Sequence, residues 1–256
     1  PGSDDARRGK RGDRPRDVSD TLFVVAVAAI GILAGWGLRP TLARYDSDFS
    51  TRVLVPEIST AVLFGLAAAQ YDDWRLLAML VLMVTCVALS IIDLRQYRLP
   101  NAVLFPGLAA SAAVIVVGEA VDGDLSRLSH ALVGALVYCG ILLVMHLISP
   151  AGMGFGDVKL ALLLGMFVGW VSGSNIDALR GVMIALLIGS ALGVVLGLGR
   201  VLVHRLGKNF LPDPEEGSAG VGVRHTTFPF GPPLMIGAIL VSLYPDTLLG
   251  PDTLLG

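Results

Sequence analysis

The chain has 256 residues and a net charge of −2, with 54% of residues hydrophobic and only 16% charged. Its mean hydropathy of +0.73 excludes an ordinary soluble domain and calls for a lipid bilayer. No concentrated basic face is present to displace counterions from phosphates, which excludes nucleic acid as a partner.

Residues 1–20 carry six Lys and Arg residues, five aspartates and almost nothing apolar, and read as a disordered polar tail. The apolar run Thr21 to Leu38 follows it as a signal-peptide core would. That run is long and no small-residue cleavage site follows, so a membrane helix is predicted. A spanning helix needs about 20 mostly apolar residues. By that rule eight candidates follow one another: Thr21 to Leu38, Val53 to Gln70, Leu76 to Ile92, Ala102 to Gly118, Ala131 to Ile148, Val158 to Val171, Gly181 to Val203 and Phe230 to Leu243. The expected fold is all-α, a polytopic membrane bundle of about eight transmembrane helices filling residues 21–250. The sixth and eighth runs are short, so their ends dip inward as loop or extend with polar residues. Cys86 and Cys139 each lie inside an apolar run and read as packing residues, not as a disulfide framework or a zinc site. The glycines at 134, 140, 165, 169, 189, 193 and 197 predict close helix packing. Arg205 to Phe228 is the longest polar connection and reads as a flexible linker. The last twelve residues are Pro-Asp-Thr-Leu-Leu-Gly twice, at 245–250 and 251–256, too short for a repeat fold; 251–256 is treated as a tail.

Lys and Arg concentrate in cytoplasmic loops. Alternate connections separate into a set with ten basic residues, including Arg39, Arg95, Arg98 and Lys159, and a set with three, Arg75, Arg127 and Arg180. The first set is expected in the cytoplasm, which leaves both ends outside and sets the loops against the basic tail; the seven connections outweigh it.

Ionisable groups at membrane depth are costly and so mark candidate functional sites. Asp93 closes the third run and Asp157 opens the sixth, both on the expected cytoplasmic face. Two carboxyl groups at one depth suit acid–base hydrolysis, one ionised to activate water and one protonated to donate to a carbonyl oxygen. Gly154 and Gly156 permit positive φ and close backbone approach beside Asp157. The helix start favours Asp157 as the ionised base. Against this stand plain structural roles: Asp157 as a helix N-cap, and Asp93 as an interfacial partner of Arg95 or Arg98.

Three stretches together, Ile92-Asp93-Leu94-Arg95-Gln96-Tyr97-Arg98-Leu99-Pro100-Asn101, Gly154-Phe155-Gly156-Asp157-Val158-Lys159-Leu160 and Phe228-Pro229-Phe230-Gly231-Pro232, resemble the type IV prepilin peptidases, membrane aspartic proteases with a Gly-x-Gly-Asp motif. The resemblance implies that Asp93 and Asp157 are the catalytic pair and that Gly154 and Gly156 form the active-site loop. It implies a prepilin or pilin-like precursor as substrate, cut at the cytoplasmic boundary of the cell membrane between a basic leader and the hydrophobic helix after it. The bilayer and the pilus assembly machinery are the other implied partners. Lys159 fits the motif as a supporting residue that orients Asp157, and equally as an interfacial lysine. Many bacterial members carry a cytoplasmic insertion with two Cys-x-x-Cys pairs, associated with zinc and N-methylation. The connection Arg39 to Arg52 is short and has no cysteine, so the resemblance is to the compact form, with no metal or organic cofactor expected and methylation in doubt. The rival reading is an ion- or proton-coupled transporter whose intramembrane aspartates bind the cation.

Overall fold

The computed structural model describes residues 18–45, 54–150, 153–207 and 230–250. Among them it has nine helices and no strand: α1 (Val18–Tyr45), α2 (Val55–Ala68), α3 (Arg75–Gln96), α4 (Asn101–Asp122), α5 (Ser126–Ile148), α6 (Phe155–Trp170), α7 (Asn175–Gly207), α8 (Gly231–Leu243) and α9 (Pro245–Leu249). Each expected apolar run overlaps one of the first eight, with ends that differ by a few residues. Five are long and apolar enough to cross a membrane: α1, α3, α4, α5 and α7. The other three are shorter, with 14, 16 and 13 residues in α2, α6 and α8. The polar tail up to residue 17, most of the linker from Arg205, the Phe228-Pro229 pair and the 251–256 tail lie outside the described residues.

The helix starts depart from the apolar runs because capping chemistry, not hydropathy, sets them. The Asp177 N–H donates to Ser174 Oγ at 3.1 Å, and α7 begins six residues before Gly181. The Ser126 N–H donates to Asp124 Oδ1 at 3.1 Å, and α5 begins at Ser126 rather than Ala131. Between α3 and α4 the chain reverses through Tyr97, whose φ of 55° makes it the only non-glycine residue in the left-handed region among those described. Pro100, in extended conformation, is the N-cap of α4, which begins at Asn101.

α6 is the centre of the core: Leu160, Ala161, Leu163, Leu164, Phe167 and Trp170 are all fully buried. It lies closest to α5, where glycines let the two backbones meet: a Cβ at Gly134 would sit 2.8 Å from the Gly169 Cα. Gly189 and Gly193 meet α8 and Phe230 in the same way, but Gly140 faces open space and does not pack, contrary to expectation. Two polar contacts fix the opposite ends. Trp170 Nε1 donates to the buried Glu119 at 2.6 Å at the end where α4 stops and α5 begins. Arg39 pairs with the buried Glu57 where α1 stops and α2 begins.

Candidate active site

A helix of 16 residues is roughly 24 Å long, less than the ~30 Å apolar core of a bilayer. α6 is thus shorter than that core, and its first turn carries Asp157. The helix starts at Phe155, three residues before the apolar run, with Gly154 as the N-cap. Asp157 is thus not the cap residue but the third helical position. From there its carboxyl group reaches back to the Gly154 N–H, while its own N–H donates to the Gly154 carbonyl at 3.1 Å. This is the acidic half of a capping box, and it fixes the carboxyl against the helix start.

Neither Gly154 nor Gly156 uses positive φ; Gly154 has φ −68°. The expected conformational role is therefore corrected to a steric one, and it falls on Gly156. A Cβ there would lie 3.1 Å from the Leu99 Cβ, in the α3–α4 connection. At Gly154 a Cβ would meet only Asp157 Oδ2, at an ordinary 3.7 Å.

Asp93 lies in the last turn of α3, one turn before Tyr97, whose N–H closes the helix on the Asp93 carbonyl at 2.8 Å. Asp93 is 5% exposed and Asp157 8%, and the two groups interact electrostatically. Burying two carboxyl groups among apolar helices is costly unless function or pairing offsets it. No ion pair between Asp93 and Arg95 or Arg98 is formed among the described residues. Lys159 Nζ donates to Asn101 Oδ1 at 3.1 Å and lies over the Phe155 ring at 5.1 Å. It therefore ties α6 to the start of α4, a different contact from the one with Asp157 that its place in the motif suggests.

Four further residues stand at the site: Leu99, Asn101 and Gly231 lie inside the three motif stretches without an assigned role, and His146 lies outside them. His146 Nδ1 lies 2.8 Å from the Met153 carbonyl, which only accepts, so Nδ1 carries the proton; its ring lies 5.5 Å from that of Phe155. This braces the segment entering α6. Gly231, the first residue of α8, directs its N–H to the Asp93 carboxyl group. The histidine has no metal-like spacing and the glycine's motif stretch names no partner, and their partners lie 7 and 138 positions away. Among the described residues no group of three or more His, Cys, Asp and Glu side chains gathers into a metal site.

Two carboxyl groups buried near one end of an apolar helical bundle mark a candidate acid centre in a membrane protein. A family model described as the type IV leader peptidase family matches residues 80–198, a span that includes both aspartates. Curated relatives carry the name prepilin leader peptidase/N-methyltransferase. The one from Pseudomonas putida is 30% identical over 219 residues, 85% of this chain and 67% of its own. The one from Aeromonas hydrophila is 28% identical over 230 residues, 88% and 69% of the two chains. The one from Neisseria gonorrhoeae is 32% identical over 138 residues, 52% and 46%. No solved structure matches the chain at a significant level. The chain belongs to the type IV leader peptidase family and is a multi-pass membrane peptidase.

Proposed function

We propose that the chain is a membrane-embedded aspartic endopeptidase that removes the leader from type IV prepilin-like precursors, with Asp93 and Asp157 as its catalytic dyad. The burial of both carboxyl groups at one end of the bundle carries this reading, and the name shared by its relatives supports the substrate. One carboxylate takes a proton from water as the hydroxyl attacks the scissile carbonyl, while the partner carboxylic acid donates its proton to the carbonyl oxygen. Collapse of the tetrahedral intermediate breaks the C–N bond as the proton held by the first aspartate passes to the leaving amine, and one hydroxyl of the intermediate returns its proton to the second aspartate to re-form the carbonyl and restore the pair. The pair titrates as a unit because two like charges at close range do not both ionise readily. Gly156 brings this end of α6 against the α3–α4 connection, and Lys159 with Asn101 holds the same approach.

The basic connections that share an end with the dyad support a cytoplasmic site in the cell's inner membrane. A basic leader there is attracted to the two aspartates and to the anionic inner leaflet. The relatives' names also include N-methyltransferase. This chain's only cysteines, in α3 and α5, do not fit a Cys-rich zinc site, and the proposed activity is cleavage.

Co-expression with a prepilin-like precursor tests the proposal. The wild-type chain is expected to shorten the precursor, and Asp93→Asn and Asp157→Asn to leave it intact while inserting normally. Cleavage by either variant would sink the dyad. The mass of the new amino terminus reads methylation directly.

A further inference from the structure

We propose that Gly231 is a positioning residue for the dyad, and that the first turn of α8 orients the Asp93 carboxyl group for the reaction. The inference rests on the dyad reading above. A helix start leaves its first N–H groups without intrahelical partners. In α8 the first three residues are Gly231, Pro232 and Pro233, and proline has no N–H. The positive end of this helix is therefore reduced to one free donor, the Gly231 N–H, and the Asp93 carboxyl group lies against that residue. The next N–H, of Leu234, is returned to the Phe230 carbonyl at 3.4 Å.

Asp93 faces this turn closely. It is 5% exposed, its Oδ2 has no hydrogen-bond partner, and a Cβ on residue 231 would lie 2.8 Å from Oδ2 and 3.5 Å from the carboxyl carbon. Gly231 is outside the positive-φ region, so its backbone does not require glycine; a Cβ there would instead displace the Asp93 carboxyl group. About one turn further along both helices, Ser90 Oγ lies 3.1 Å from Met235 Sδ and ties α3 to α8 in this register. The role is to aim Asp93, and it is exerted through that side chain alone.

The test uses the full-length protein in detergent: wild type, Gly231→Ala, Asp93→Ala and the double variant, assayed on a purified prepilin-like precursor and for thermal stability. Gly231→Ala is expected to lower kcat roughly tenfold or more, as misaligned catalytic groups do, with KM within about twofold. Its Tm is expected to fall, and to fall less when residue 93 is already alanine, because contacting residues are not additive. An equal Tm loss in both backgrounds, unchanged kcat, or a raised KM with kcat kept would overturn the proposal. If Gly231→Ala alone does not fold, recovery of folded protein in the double variant supports the contact and failure of both overturns it. Full activity of Asp93→Ala would instead reject the dyad itself, while the Tm comparison still reads the contact.

Discussion

At Gly156 the start of α6 passes close to the α3–α4 connection. A Cβ there would press on the Leu99 side chain at 3.1 Å, tighter than ordinary contact, whereas Gly154 faces only an ordinary contact with Asp157. Gly156→Ala is therefore expected to lower kcat about 10- to 100-fold by displacing the first turn of α6, with partial recovery when Leu99→Ala is added. Gly154→Ala is expected to retain more activity than Gly156→Ala, and kcat on one precursor compares all three. The aspartates themselves were legible as charges at the ends of apolar runs. Their supports were not, because Gly231 touches Asp93 and Leu99 touches Gly156 through folding that joins distant positions. The unequal roles of the two motif glycines depend on the same contacts.

At the scale of the helices, α5 and α6 approach as closely as backbones allow. A side chain at Gly134 would meet the Gly169 backbone, which cannot rotate away, while one at Gly140 would meet nothing within 4 Å. Gly134→Val is expected to destabilise the folded protein by at least about 1–3 kcal/mol through overpacking. Gly140→Val is expected to stay within about 0.5 kcal/mol of wild type. Thermal or denaturant unfolding in detergent separates the two. Hydropathy marks all eight long elements, since an apolar run of that length has few other solutions. It does not mark their ends, where Ser174, Asp124 and Gly154 act as caps. Nor does it mark the five-residue α9, which begins with Pro245 at the start of the first copy of the terminal hexapeptide. The glycine spacing foretold close packing without saying which glycines face a neighbour, and Gly140 shows the difference.

Across the whole molecule the charge pattern and the site agree. The ends of α3 and α5 and the starts of α4, α6 and α8 converge at Asp93 and Asp157, whereas Glu119, Trp170 and Asp124 mark the far end. With the dyad in the cytoplasm, a cysteine at Arg98 is expected to be shielded from a membrane-impermeant maleimide in intact cells, and one at Asp124 to be labelled. The reverse pattern would invert the proposed orientation. The central claim is that Asp93 and Asp157 work as one unit, and the most direct measurement is kcat on a purified precursor in proteoliposomes for Asp93→Asn, Asp157→Asn and the double variant. Each single change is expected to reduce kcat by roughly 10²–10⁴-fold or more, with the double no slower than the singles, as for residues that act together. Near wild-type cleavage by either single variant, or losses that multiply in the double, would contradict it.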